Sequence, residues 1–207
     1  MRTIVYVDGF NLYYGSLRKT PYKWLDLCAY FQRVLPSGHM LLKVKYFTAR
    51  VKSLPSDPSA PAKQNAYLRA LRAQCGDKIE IIEGHFQVKP KRVPLAKTPT
   101  TIVEVLNTEE KGSDVNLAVE LVHDAWRGAF ECAVVVSNDA DLERALRIVS
   151  GMQKRILLYT PGGPMRTPVA SLKRWSDKQR SIDPADLAAS QLPDPIPGHP
   201  LTKPRDW

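Results

Sequence analysis

Short β-branched, apolar runs recur along this chain, and the segments between them carry apolar residues at helical spacing. Residues 3–7, 41–51, 78–86, 131–137 and 154–160 read as strands. The run Ala133-Val-Val-Val136 is apolar without alternation, as a strand covered on both faces requires. Helical spacing joins Trp24, Leu27, Cys28, Phe31 and Leu35, then Tyr67, Leu68 and Leu71 within 62–74. It recurs at Val115, Ala118, Val119, Val122, Ala125 and Trp126, and at Leu142, Ala145, Leu146 and Val149. Alternating strands and helices predict an α/β fold, a three-layer α/β/α sandwich on a mainly parallel central sheet. Such sheets bind ligands beyond the carboxyl ends of their strands.

The breaks follow from turn chemistry. Pro36-Ser37-Gly38 stops the first helix, and three prolines make 53–61 a loop. Ser113 or Asp114 is expected to cap the helix that follows. The basic, proline-punctuated stretch 89–97 is expected to be an exposed loop that at best borders a sheet. A length of 207 residues suits one domain, here residues 1–180, followed by a proline-rich tail, 181–207, that is either draped on the domain or disordered. No apolar run approaches the roughly 20 residues of a membrane span, and the start has no signal-peptide pattern, so a cytoplasmic protein is expected. Cys28, Cys75 and Cys132 are too far apart for a zinc pattern and read as free thiols.

The formal charge is +9, yet residues 106–150 carry nine acidic and four basic side chains. An acidic island in a basic chain fits a carboxylate-built cation site surrounded by phosphate-attracting surface, but taken alone it is better explained by helices with solvated acidic faces. Asp8 ends the first strand, Asp139 and Asp141 follow the strand at 131–137, and Asp114 opens a helix entering the same sheet. All four could face one crevice, where their mutual repulsion calls for Mg²⁺ or Mn²⁺, able to activate water and clamp a phosphate. Each also has an ordinary explanation: turn chemistry at Asp8-Gly9, a first-turn acid at Asp114, a cap at Asp139 or Asp141. Asn11 and Ser137 could orient the aspartates or water, and Lys111 could reach a phosphate. Other chemistries lack their parts: the chain has no G-x-G-x-x-G, no P-loop and no G-x-S-x-G, and its four histidines are dispersed.

Three segments, Tyr6-Val-Asp-Gly-Phe-Asn-Leu-Tyr-Tyr-Gly15, Lys111-Gly-Ser-Asp-Val-Asn-Leu-Ala-Val119 and Val134-Val-Val-Ser-Asn-Asp-Ala-Asp-Leu142, resemble in order and spacing the motifs of the NYN family, LabA-like branch, a relative of the PIN-domain nucleases. The resemblance covers about residues 1–175. It implies a PIN-like sandwich with a Mg²⁺- or Mn²⁺-dependent ribonuclease site, in which Asp8, Asp114, Asp139 and Asp141 match the acidic positions and Asn11 the motif asparagine. Asn138 and Leu142 depart from the glycine and phenylalanine often found there, and every carboxylate is kept.

The resulting expectation is an endoribonuclease that hydrolyses phosphodiesters of single-stranded RNA through a four-aspartate metal site. Arg50, Lys52, Lys89, Lys91, Arg92 and Lys97 would hold the RNA backbone. A homo-oligomer is compatible with the sequence. The rival from another class is a catalytically inactive RNA-binding or adaptor module. A third reading, a phosphatase of the haloacid dehalogenase type, follows from Asp139-Ala-Asp141 after a strand, but Leu142 and Glu143 stand where that family places a small residue and a threonine.

Overall fold

The computed structural model describes residues 1–163, 165–205 and 207. The elements run β1 (Arg2–Asp8), α1 (Gly9–Leu12), a π-helical turn (Tyr13–Leu17), α2 (Leu27–Val34), β2 (Met40–Ala49), α3 (Ala60–Cys75), β3 (Ile79–Pro94) and β4 (Ile102–Lys111). They continue with α4 (Ser113–Trp126), β5 (Cys132–Val136), α5 (Glu143–Gly151), β6 (Arg155–Thr160), α6 (Ala170–Arg174), β7 (Lys178–Ser181) and α7 (Pro184–Ala188). One seven-stranded sheet has the order β4-β3-β2-β1-β5-β6-β7, and every pairing is parallel except β3 with β4. This is the three-layer, mainly parallel α/β architecture that the strand–helix alternation predicts.

Alternate residues of the central strands feed two cores. Val5, Val7, Val134 and Val136 face α2, α3 and the C-terminal segment, whereas Ile4, Tyr6, Ala133 and Val135 face α4 and α5. Burial on both faces is why β1 and β5 carry no polar alternation. The chain winds outward from β1 through β2, β3 and β4, then returns to the other side of β1 to lay down β5, β6 and β7. The winding therefore reverses between β1 and β5, and their carboxyl ends flank the crevice such a reversal opens.

Three expectations need correction. Residues 89–94 are strand, not loop: β3 continues through Lys89, Lys91 and Arg92 and pairs antiparallel with β4, leaving only 95–101 as the connecting turn with Lys97 in it. Beyond Gly84, β3 has β4 as its only described neighbour, and a two-stranded ribbon has an open edge on which Pro90 and Pro94 are tolerated. The buried stripe of α4 is Leu117, Leu121 and Ala125, with Ser113 and Asp124, while Val115, Val119 and Trp126 lie outward, Trp126 at 76% exposure. Polar Lys45 and Tyr6 rotate this helix, because both bond Asp124 at 2.7 Å and so draw its side inward. Finally, neither Ser113 nor Asp114 caps α4. Its N-cap is Gly112, and the Ser113 amide donates instead to Glu110 Oε1 at 2.9 Å.

Residues 192–205 and Trp207 drape over the domain. Leu192 and Ile196 are buried in the α2–α3 core, and the Trp207 ring lies 6.3 Å from Trp24 and 5.7 Å from Tyr67. No described helix is long and apolar enough to cross a membrane.

Candidate functional site: carboxylates at the β1–β5 crevice

Asp8 is the last residue of β1 and the N-cap of α1. Its Oδ1 accepts the Asn11 amide at 2.9 Å, and its Oδ2 accepts the Ser137 hydroxyl at 2.9 Å. Ser137 follows β5 directly, is fully buried, and its Oγ also accepts the Asp139 amide at 3.2 Å. Ser137 thus ties Asp8 to the backbone of Asp139 across the switch point. Asn11 makes a second tie, its Oδ1 accepting the Asn138 amide at 3.2 Å. Asn138 fastens the far wall, with Oδ1 accepting the Val169 amide at 2.8 Å. Helix α1 can start against β2 only because residue 9 is glycine: a Cβ there would lie 2.6 Å from the Phe47 carbonyl oxygen and 2.8 Å from the Tyr46 hydroxyl.

Burial, above all, holds the Asp8 carboxyl above its ordinary value. The Asn11 amide and Ser137 hydroxyl oppose the shift, while the charges of Asp139 and Glu110 add to it. The charged side chains that perturb Asp8 are thus acidic, and a carboxylate so placed favours either a proton or a cation. Glu110, near the end of β4, was missed by sequence reasoning. Its signal was present, one residue before the motif Lys111-Gly-Ser-Asp, but an antiparallel ribbon was needed to turn it toward β1.

The other predicted residues fall into three groups. Asp139 Oδ1 accepts the Asp141 amide at 3.1 Å, so its capping role and its place at the crevice coexist; Asp141 itself is exposed. Asp114, half-buried in the first turn of α4, accepts the Val115 amide at 2.8 Å. Lys111 is exposed and pairs with Glu109 at 3.2 Å. Arg50 gives its guanidinium to Glu83 at 2.8 Å and to Asn65 at 3.1 Å, whereas Lys52 lines a cavity beside α1. Lys89 and Lys91 share one face of the β3–β4 ribbon with Lys111, around a 230 Å³ concavity, while Arg92 is on the opposite face.

Among the described residues, the metal-type donors that cluster within 4.8 Å of one another are Asp26, Cys28 and Cys75, not the aspartates. That buried group is explained by packing: Asp26 caps α2 by accepting the Ala29 amide at 2.9 Å, and the Cys75 thiol donates to the same oxygen at 3.6 Å. The donors around Asp8 are hard oxygens set wider apart. Donors of this kind would suit a small divalent cation that keeps part of its water shell, with some carboxylates reaching it through water.

The fold and site together define a class: an open α/β sheet with half-buried carboxylates at its switch point. The chain belongs to the NYN domain family, whose model matches residues 2–182. It is 37% identical over 235 residues to 6-hydroxy-3-succinoylpyridine 3-monooxygenase HspA of Pseudomonas putida, the alignment covering 100% of this chain and 75% of that protein. The fold is similar to that of a protein of unknown function, VPA0982, from Vibrio parahaemolyticus, at a TM-score of 0.56 and 20% identity, over 88% of this chain and 93% of that one.

Proposed function

We propose that this protein is a divalent-cation-dependent phosphodiesterase acting on single-stranded RNA. The observation that carries the reading is the Asp8–Ser137–Asp139 linkage across the β1–β5 switch point, where Asp8 faces further carboxylate charge. Asp8 and Asp139 would hold Mg²⁺ or Mn²⁺, with Glu110, Asp114 and Asp141 contributing directly or through water. A cation there would polarise the scissile phosphate and make a neighbouring water more acidic. Ser137 and Asn11 fix Asp8 by hydrogen bonding to its charged form, directly and through the α1 turn, and so oppose the upward shift that burial imposes. Asp141 is exposed and free to accept a proton from the attacking water, which the half-buried Asp8 is not placed to release to solvent. The basic ribbon bearing Lys89, Lys91 and Arg92 supplies the attraction for phosphate that the carboxylates deny. Purified protein is expected to cleave a labelled single-stranded RNA with Mn²⁺ or Mg²⁺ and to stop in excess chelator. Undiminished cleavage with chelator defeats the cation site.

A second reading is favoured by the identity with HspA, whose name gives it a pyridine substrate and an oxygenation reaction. This chain would then oxygenate a small heteroaromatic acid, with electrons and any redox cofactor supplied from outside. Oxygen uptake that depends on 6-hydroxy-3-succinoylpyridine and a reduced nicotinamide would establish it, and its absence alongside RNA cleavage would remove it.

A further inference from the structure

A 340 Å³ cavity opens beside α1, and Gly9, next to Asp8 in the chain, is part of its wall. Its volume lies at the lower end of the range for small-ligand sites. Two aromatic walls face it. On one, Phe86, Phe10 and Tyr14 form a ladder of near-parallel rings, with centroids 6.2 and 6.3 Å apart and interplanar angles of 19° and 17°. On the other stand Tyr67 and Trp207, 5.7 Å apart. The π-helical turn at Tyr13–Leu17 carries Tyr14 and the next-turn Arg18 to the mouth, where the guanidinium lies 5.4 Å from the Tyr14 centroid. Tyr14 is 60% exposed, an open ring that a packing role does not need.

Basic side chains predominate among the described residues lining this cavity, four against the single carboxylate of Asp57. Lys63 pairs with Asp57 at 3.7 Å, but Arg18, Lys23 and Lys52 make no ion pair among the described residues. Aromatic faces accept any flat π-system, and three cations at the rim with no ion-pair partner among the described residues favour an anionic substituent on it. We infer that the cavity is a nucleotide subsite, in which a base stacks on the Tyr14–Phe10 ladder while its phosphate meets Arg18, Lys23 and Lys52. The inference rests on the phosphodiesterase reading: the subsite would hold the nucleotide flanking the bond delivered to Asp8, one residue from the cavity wall. It also gives Lys52 a role that Arg50, committed to Glu83, does not share.

The test is binding rather than cleavage, so the two proposals stand or fall separately. Asp8→Asn protein in chelator is titrated with adenosine and uridine 5′-monophosphates and, in parallel, with pyridine-3-carboxylate, by isothermal titration calorimetry. Saturable binding of a nucleotide is expected. Tyr14→Ala should weaken it by about tenfold, and Arg18→Ala and Lys52→Ala should weaken it and flatten its salt dependence. Arg147→Ala, on the exposed face of α5 away from the cavity, should not alter it. Thermal melts of each variant report folding. No saturable nucleotide binding, equal binding by folded Tyr14→Ala and Arg18→Ala proteins, or a clear preference for the pyridine acid overturns the inference. If nucleotides bind as expected while the parent protein cleaves no RNA, the catalytic reading alone falls.

Discussion

Asp8 is the residue at which cost and use meet. A half-buried carboxyl facing Asp139 and Glu110 is held above its unfolded value of 3.8 chiefly by burial, so the folded state binds a proton more readily than the unfolded one. With a raised acid the stability contribution is fully present below the unfolded value and is lost as pH climbs through the folded one. Asp8→Asn should therefore raise the melting temperature at neutral pH, and the gap to the parent should close as the pH approaches 3.8. The same substitution should lower RNA cleavage by orders of magnitude, because the amide keeps the shape and loses the charge a cation needs. In the parent, turnover should decline on acidification from above the ordinary carboxylate range. Cation at about 100 times its Kd should stabilise the parent by about 2.7 kcal/mol and leave the variant's melt unmoved. A variant that is both less stable and fully active would make Asp8 a turn residue.

Two elements carry testable consequences. Lys45 of β2, its side chain 8% exposed, bridges Asp124 at 2.7 Å and Glu120 at 2.6 Å on α4, and Tyr6 donates to Asp124 at 2.7 Å. Burial alone would lower Lys45, but the hydrogen bonds it donates to Asp124 and Glu120 outweigh it and raise the group above 10.5. Its contribution is thus present below the unfolded value and lost only as alkaline pH passes the folded one. Lys45→Met strands Asp124 without its cation and should cost about 3 kcal/mol in urea unfolding; a loss under about 1 kcal/mol would make the network incidental. The β3–β4 ribbon acts outside the core. Neutralising Lys89, Lys91 and Arg92 together should reduce the slope of log affinity against log salt for single-stranded RNA by about two, measured with Ca²⁺ replacing the catalytic ion. An unchanged slope would return these cations to solubility.

At the scale of the whole molecule, the C-terminal segment helps complete the domain on one face. Leu192 and Ile196 are buried against the α2–α3 layer, and Leu192 N–H donates to the Trp24 carbonyl at 2.8 Å. Truncation after Ser190 should cost about 3–6 kcal/mol from these two side chains, lower the melting temperature, and open the cavity wall that Trp207 provides. Retained stability would mean that the segment only rests on a core complete without it.

The local pattern of this chain determined its class of fold. The apolar runs within 3–7 and 131–137 needed cover on both faces, and Asp8 and Asp139 had to stand at or beyond the carboxyl ends of those strands because turn chemistry stops the strands there. Asp114 was equally visible as a first-turn acid. What the tertiary structure decided depends on contacts distant in sequence. Glu110 perturbs Asp8 only because an antiparallel ribbon folds back, and that ribbon was hidden by prolines an open edge can absorb. The rotation of α4 was set by Lys45 and Tyr6 from other strands, against the helix's own apolar spacing. The aromatic cavity draws on residues from Gly9 to Trp207, and no local spacing records that these rings meet, because only packing brings them together.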